Sequence, residues 1–223
     1  EQDHHIQHRD PAKIAQLANY SHAIFISPMV EKVISSQYTF RSSKTLLDRV
    51  ELEQSYVRTR SFMEDGTCRM LIAGTIMESK GQADAVRATI ELHRLGYQVE
   101  LNICGQGDLS TISQFLNTET NEYIHYLGQR DDLVELRKNE DIALVCSRNE
   151  AFGRVTIESM FYENVVIGAN AGYTKELIRN GENGFLYNPE DINDLVSVLQ
   201  QCINNPQRVG QIIANAKAFP GPF

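Results

Sequence analysis

The chain has 223 residues, of which 42% are hydrophobic and 22% are charged, and its formal net charge at pH 7 is −8. These proportions are typical of a globular protein with one sizeable domain plus an appendage, or with two small domains, and no apolar run approaches the roughly 18 residues of a membrane span. The acidic balance argues against binding along a nucleic-acid backbone, so we expect no nucleic-acid partner.

Residues 1–66 fit no regular alternation of strands and helices. Ala23–Ser27 and Lys44–Leu47 are short candidates for strands, and Met29–Ser36 is a candidate helix. One or two strands do not make an independent sheet. We therefore interpret 1–66 as the tail of an acceptor-side domain followed by a linker.

Residues 67–223 alternate between short apolar runs and longer segments of helical period. Continuous apolar strands indicate burial on both faces, which predicts an α/β fold with a doubly wound, Rossmann-like parallel sheet. Ligands of such sheets lie outside the carboxyl ends of the strands. The predicted strands are Cys68–Ala73, Val99–Cys104, Tyr123–Leu127, Ile142–Cys146, Val165–Gly168 and Gly184–Tyr187, and the predicted helices are Gln82–Leu95, Leu109–Leu116, Leu133–Lys138, Val155–Tyr162, Lys175–Arg179, Asp191–Ile203 and Pro206–Phe219.

The four cysteines stand far apart, with no CxxC pair among Cys68, Cys104, Cys146 and Cys202. Three of them fall at or within predicted buried strands, where a free thiol behaves as a small hydrophobe. The pattern favours a reducing, cytoplasmic compartment over a disulfide framework.

The loop after the first strand of this domain runs from Gly74 through Thr75 to Lys80 and Gly81. Amide groups at a helix start and an ammonium group together favour an anion. The pattern is equally compatible with a solvated lysine in a surface loop.

The loop after the second strand contains Gly105 and Gly107. Glycines at that place let a ligand approach the backbone closely, although a simple tight turn explains them as well. Their spacing is too short for a dinucleotide fingerprint.

The strand Ile142–Cys146 is followed by Glu150, and a helix is predicted to begin near Gly153 or Arg154, with Glu158 one to two turns into it. A carboxylate accepts hydrogen bonds from two adjacent hydroxyl groups, as in a ribose or a sugar. Free amides at the start of the helix favour a diphosphate. On spacing alone, a solvent-facing helix residue is the better explanation of Glu158.

The segment Glu150-Ala-Phe-Gly-Arg-Val-Thr-Ile-Glu158 resembles the Glu-x7-Glu motif of glycosyltransferase family 4, also called group 1, which has the two-domain GT-B fold. Further segments resemble this family in order and spacing, so that the resemblance covers roughly Met70 to Ala218. These segments are Leu127-Gly128 with Asp132-Leu133, Asn164–Gly172 and Glu176–Tyr187.

The resemblance implies a role for each site residue. Glu150 would contact the transferred sugar near the reacting centre, and Lys80 would neutralise the leaving diphosphate. Glu158 would hold the ribose hydroxyls of the donor. The implied donor-binding set is Glu158, Phe152, Gly153 and Arg154 on the helix, Gly74 and Thr75 in the first loop, Gly105 and Gly107 in the second, and Arg130 near the base.

One position departs from the family pattern. Members of the family usually place an arginine directly after the first loop glycine, where this chain has Thr75. The site therefore has one cation fewer to offset charge on the leaving diphosphate. Arg148 or Arg154 would have to supply the second cation.

The resemblance implies a retaining transfer of a hexosyl or N-acetylhexosaminyl group from a nucleoside-diphosphate sugar in polysaccharide synthesis. Cationic side chains and helix amides would stabilise the diphosphate, so no metal and no cofactor are expected, and the sequence has no Asp-x-Asp motif. A non-catalytic donor-binding or scaffold subunit is the alternative. A GT-B epimerase or phosphorylase is a third reading, for which no signature is visible.

In the family the acceptor binds to an N-terminal domain, of which 1–66 resembles only the closing strands. We therefore expect a glycan or lipid-linked acceptor to require that missing domain, and this chain alone to transfer little or nothing. The resemblance also allows peripheral membrane contact in the full-length enzyme.

Overall fold

The computed structural model describes residues 22–52, 56–58 and 60–218. At the N-terminal end, β1 (His22–Phe25) and β2 (Ser42–Thr45) pair in parallel, and α1 (Pro28–Ser35) connects them. The three predicted elements of this part are confirmed to within two residues. The proposal that the whole stretch 1–66 ends a preceding domain stays a prediction, and residues 1–21 lie outside the described part of the chain.

Six parallel strands form the main sheet, and helices cover both of its faces. The strands are β3 (Cys68–Ala73), β4 (Val99–Cys104), β5 (Ile124–Gly128), β6 (Ile142–Val145), β7 (Val165–Ala169) and β8 (Phe185–Tyr187), in the order β5-β4-β3-β6-β7-β8. The longer helices are α2 (Gln82–Arg94), α4 (Leu133–Asn139), α5 (Arg154–Phe161), α7 (Ile192–Ile203) and α8 (Pro206–Lys217), and the short ones are α3 (Ser110–Ser113) and α6 (Thr174–Leu177).

The burial of the strands explains why the sequence predicted this sheet. Every residue of β6 and of β7 is buried, because helices pack on both faces of these strands. Leu92 of α2 and Leu195 of α7 join the larger core on one face. Met160 of α5 and Ala216 of α8 join a second core on the other. The doubly wound α/β fold is therefore confirmed.

The helix predicted over Leu109–Leu116 is shorter than expected, since it is limited to Ser110–Ser113. The side chain of Asn117 accepts hydrogen bonds from the amides of Glu119 and Thr120 at 2.9 and 3.0 Å. Such local side-chain bonds offer the backbone an alternative to the helical pattern. The chain leaves the helix before this turn and continues into β5.

A buried carboxylate fastens the linker to the main sheet. Asp141 lies directly before β6, and its side chain is fully buried. It accepts from the guanidinium of Arg58 at 3.2 Å and lies 3.3 Å from that of Arg60. It also accepts from the amides of Met63 and Arg69, both at 3.0 Å. One side chain thus holds the linker against the start of two central strands.

All four cysteines are free and buried, as the strand pattern predicts for at least three of them. Among the described helices, none has both the length and the apolar character needed to cross a membrane.

Candidate functional site

The candidate site lies at the carboxyl ends of β3 and β6. The chain runs outward from β3 to β4 and β5, returns to β6, and then continues to β7 and β8. The loops after β3 and β6 therefore diverge and leave a crevice, as expected at a switch in strand order. A cavity of about 220 Å³ occupies it. We call it the central cavity; its lining includes Gly74, Thr75, Lys80, Gln82, Ser147 and Glu150.

The first loop places Lys80 at this cavity. Lys80 ends a single helical turn (Glu78–Lys80) directly before α2. The next residue, Gly81, has a φ of +70°, and a Cβ atom there would lie 2.6 Å from the carbonyl oxygen of Cys146. The amide of Arg148 donates to the carbonyl of Ser79 at 3.0 Å. This close packing against the end of β6 fixes the position of Lys80.

The second loop packs against the first through its glycines. A Cβ atom at Gly105 would lie 1.9 Å from the carbonyl oxygen of Gly74, and one at Gly107 would lie 2.0 Å from that of Ile76. The amides of Gly74 and Ile76 donate to the second loop at 2.9 and 2.8 Å. Glycine is required at both positions because the protein backbone itself approaches. A Cβ atom at Gly74, by contrast, would meet no other atom within 4 Å. The role of Gly105 and Gly107 in donor binding stays a prediction.

Glu150 lies opposite Lys80 and forms an ion pair with it. The Lys80 Nζ to Glu150 Oε2 distance is 3.0 Å, and the two side chains are 19% and 17% exposed. The loop after β7 holds the backbone of Glu150, since the amide of Tyr173 donates to its carbonyl at 2.7 Å. The two predicted catalytic residues are therefore brought together, and each carries the other's counter-charge.

The third loop leads into α5 without a side-chain cap. Gly153 adopts a left-handed φ of +83° as the N-cap residue, and Arg154 begins the helix, as the sequence predicts. A glycine cap leaves the first amides of the helix available to an anion. The Phe152 side chain is buried beside Tyr173, with ring centroids 6.2 Å apart. At Phe152, any contact with a ligand would therefore come from the backbone.

Glu158 is only partly exposed, and it pairs with an arginine that the sequence did not indicate. Its Oε2 atom lies 2.6 Å from Nη2 of Arg137, and the two side chains are 21% and 3% exposed. Burial lowers the pKa of Arg137, and the charge of Glu158 opposes that shift. Arg154, which is 54% exposed, lies 4.0 Å from Oε1 of Glu158 and 3.9 Å from Asp48. The solvent-facing interpretation of Glu158 is therefore wrong.

Two other predicted cations are occupied elsewhere. Arg148 pairs with Glu190 at 2.5 Å and lies 3.8 Å from Asp84. Arg130, in the loop after β5, pairs with Asp132 at 2.5 Å. Lys80 is the one cation among the described residues that line the central cavity.

Two buried polar residues of the cavity were missed by the sequence reasoning. The Gln82 side-chain amide donates to the carbonyl of Thr75 at 3.0 Å. Its Oε1 atom and the hydroxyl of Ser147 have no hydrogen-bond partner in residues 22–52, 56–58 and 60–218. Buried polar atoms of this kind are suited to bind a polar ligand. A glutamine or a serine next to a loop is equally common at the protein surface. The sequence therefore contained no signal that Gln82 and Ser147 line a cavity.

Cys146 also lines the central cavity, but its thiol is unsuited to nucleophilic chemistry. Burial raises the pKa of Cys146 to about 12. A thiolate is the reactive form of cysteine, so the side chain stays protonated at neutral pH and acts as part of the wall.

Comparisons with known proteins find similarity to glycosyltransferases. The chain is 26% identical over 156 residues to an uncharacterized glycosyltransferase, MJ1178, of Methanocaldococcus jannaschii, which covers 69% of the chain and 43% of that protein. It is 35% identical over 86 residues to D-inositol 3-phosphate glycosyltransferase of Rhodococcus jostii, over 39% of the chain and 19% of the relative. The chain therefore spans less than half the length of these relatives.

Solved structures show the same fold. Alr3699/HepE of Anabaena, crystallised with UDP and glucose, superposes with a TM-score of 0.79 at 21% identity, over 96% of this chain and 63% of that one. The family model described as glycosyl transferases group 1 matches residues 59–219. The match includes β3 to β8 and every loop around the central cavity, so this chain belongs to the group 1 glycosyltransferase family.

Proposed function

We propose that residues 67–223 form the donor-binding, C-terminal half of a retaining GT-B glycosyltransferase of family 4. The substrate would be a nucleoside-diphosphate sugar, from which a hexosyl or N-acetylhexosaminyl group passes to a glycan or glycoconjugate in polysaccharide synthesis. One observation carries the proposal: a lysine and an uncapped helix start lie around the crevice where the strand order switches.

A diphosphate matches the charges of this crevice. The ammonium of Lys80 lies on one side, and the first amides of α5, behind Gly153, lie at the end of the β6 loop. A helix start carries about half a positive charge. Together these groups favour an anion with several oxygen atoms over a neutral ligand.

The carboxylates supply the specificity in this proposal. Glu158 has its Oε2 atom on Arg137, which leaves Oε1 to accept from a ribose hydroxyl. Glu150 lines the cavity and accepts from the sugar. The UDP and glucose in the solved structure of Alr3699/HepE support a donor of this class, since that protein has the same fold.

The proposed reaction exchanges one bond at the anomeric carbon for another. The bond from that carbon to the diphosphate oxygen breaks, and a bond to the acceptor hydroxyl oxygen forms on the same face. The hydroxyl proton passes to the leaving diphosphate. Lys80 and the amides of α5 stabilise the charge that develops there, which is where enzymes gain most from fixed donors.

The acceptor side lies outside this half in the proposal. A glycan or lipid-linked acceptor would bind a preceding domain, of which 1–66 is the tail, in a cytoplasmic enzyme whose full-length form contacts the membrane peripherally. We expect the 223-residue chain alone to hydrolyse or transfer little sugar. The transfer by the full-length enzyme is expected to need no metal ion. Turnover of a nucleotide sugar by this chain without an added partner would contradict the division.

Calorimetric titration with UDP, GDP and ADP tests donor binding. We expect one of the three to bind, and Glu158→Gln to weaken that binding roughly tenfold or more, since a hydrogen bond to a charged group contributes about 1.5–3 kcal/mol. Glutamine is preferred to alanine because alanine would leave the Arg137 guanidinium buried without its partner.

Glu182→Gln is the matched control, because Glu182 is 57% exposed and pairs with Arg179 away from the cavity. Its affinity should equal that of the wild type. Among the described residues that line the cavity, Lys80 is the single cation, and it is already paired with Glu150. This observation favours a non-catalytic scaffold subunit as the second candidate. A folded wild type that binds none of the three diphosphates would select that candidate over the proposed donor function.

A further inference from the structure

Arg137 is a buried cation with a partner in the candidate site. It lies on α4, and only 3% of its side chain is exposed. Its Nη2 atom donates to Oε2 of Glu158 at 2.6 Å, whereas its Nε atom is buried without a partner among the described residues. Its own carbonyl accepts from the side chain of Asn164 at 2.9 Å, which fixes this end of α4 next to β7.

Burying such a charge is unfavourable for folding unless the ion pair and its hydrogen bonds offset the lost hydration. Removing a guanidinium from water costs several kcal/mol, and a hydrophobic side chain of similar size often stabilises a core equally well or better. Replacing both members of this pair by apolar residues would therefore cost the fold little, so stability alone does not explain the pair. The distinctive effect of Arg137 is on Glu158, because a guanidinium that is buried away from solvent holds the Glu158 carboxylate.

Without Arg137, Glu158 could form an ion pair with Arg154 instead. Arg154 lies one helical turn before it, with Nε 4.0 Å from Oε1, and this arginine is 54% exposed. Exposed pairs of this kind are weak and mobile. The two arginines therefore offer Glu158 different orientations, and the short, buried contact selects one of them.

We propose that Arg137 is a positioning residue: it fixes Oε2 of Glu158 so that Oε1 is presented to the ribose hydroxyls of the donor. The inference rests on the proposed function, because it assigns Arg137 to the ribose subsite of that same site. Arg137 itself does not touch the donor; it acts through Glu158.

Discrimination between ribose and deoxyribose tests this role. The probe is the diphosphate selected by the titration among UDP, GDP and ADP, together with its 2′-deoxy counterpart. The wild type should prefer the ribonucleotide by roughly tenfold. In Arg137→Met we expect this preference to fall to about one- to twofold, while the affinity for the 2′-deoxy nucleotide changes by less than about twofold.

Arg58→Met is the matched control for loss of a buried arginine. The Arg58 side chain is 7% exposed and pairs with Asp141, so its loss should lower stability and keep the full ribose preference. If Arg137→Met does not fold, Arg137→Gln decides, since it is polar but uncharged and its amide nitrogen ends two bonds short of the Nη2 atom that binds Glu158. Combining either variant with Glu158→Gln should give no further loss of preference.

Several outcomes would overturn the inference. If Arg137→Met or Arg137→Gln preferred the ribonucleotide as strongly as the wild type does, Glu158 would need no positioning by Arg137. The proposed donor-binding function would be unaffected by that result. Equal losses for both nucleotides would mean a purely structural arginine. Failure of the folded wild type to bind any of the three diphosphates would remove the proposed function and this inference together.

Discussion

At the scale of single residues, the ion pair between Lys80 and Glu150 determines what the free site presents to a ligand. The two charges are 3.0 Å apart and mostly shielded from solvent. A diphosphate that approaches Lys80 meets a carboxylate already bound there. Donor binding must therefore loosen this contact, and the glutamate opposes the same anion that the lysine attracts.

This arrangement predicts opposite effects for the two residues on the affinity for a nucleoside diphosphate without sugar. Glu150→Gln should bind it at least about twofold more tightly, because residues that share a salt bridge typically couple by about 0.5–3 kcal/mol and this pair is largely shielded from solvent. Lys80→Met should bind it roughly tenfold more weakly or worse, because a charge-assisted bond is lost. Calorimetry measures both constants.

A weaker affinity in Glu150→Gln would contradict competition for Lys80 and would place Glu150 on the diphosphate itself. Glu182→Gln, an exposed glutamate that pairs with Arg179, should leave the affinity unchanged and controls for net charge.

The residues that the sequence predicted and those it missed differ in how their role is encoded. Glu150 and Lys80 follow buried strands, and the strand ends of a parallel sheet meet at one edge, so their proximity could be inferred. Arg137 lies next to Lys138 in a helix of polar appearance. Its burial depends on contacts with Glu158 and Asn164, which are distant in the sequence, and no local pattern records them. The same limit applies to Gln82.

At the scale of elements, the loops after β3 and β4 behave as one unit. The amides of Gly74 and Ile76 donate across to the second loop, and the amide of Asp108 donates back to Ile76 at 2.9 Å. The sequence predicted glycines that admit a ligand or a tight turn. The structure gives a different reason for Gly105, because the neighbouring loop occupies the space of its side chain.

Two alanine substitutions separate backbone strain from this contact. Gly74 and Gly105 have nearly equal φ angles of +144° and +143°, but only at Gly105 would a Cβ atom meet another group, at 1.9 Å. Both variants should lose about 1–3 kcal/mol of unfolding free energy from the strained backbone. Gly105→Ala should lose a further ~1–3 kcal/mol because the loops must separate.

Urea-induced unfolding measures both losses. Equal destabilisation of the two variants would mean that the two loops separate with no loss of unfolding free energy. The contact with the Gly74 carbonyl would then not be the reason for glycine at position 105. Gly210→Ala, within α8 and with open space at Cβ, should instead be neutral or slightly stabilising.

At the scale of the whole molecule, one buried carboxyl group at the start of a central strand connects stability to pH. This group is the side chain of Glu140, which precedes Asp141 and β6. Asp141 is surrounded by donors from the linker and β3. Its neighbour Glu140 is also buried, and in the described part of the chain one side chain, that of Asn102, donates to its Oε1 atom at 2.7 Å. Its Oε2 atom has no partner within the described residues. Burial raises the pKa of Glu140 to about 7 from 4.5.

Because the folded-state pKa lies above the unfolded one, the folded protein binds more protons between about pH 4.5 and 7. The contribution of Glu140 to stability is therefore greatest at low pH and is lost as the pH rises through this window. At about 1.4 kcal/mol per pKa unit, the loss amounts to about 3 kcal/mol. Glu140→Gln removes the titration and keeps an acceptor for Asn102.

We therefore expect the two proteins to have similar unfolding free energies near pH 5, and Glu140→Gln to be more stable by up to about 3 kcal/mol near pH 8. Urea unfolding at both pH values measures this difference, and other titrating groups cancel in the comparison. Glu122→Gln, at an exposed position before β5, should show no such divergence. A constant difference between wild type and Glu140→Gln across this range would mean that Glu140 is already charged in the folded core, with water or a rearranged arginine as its partner.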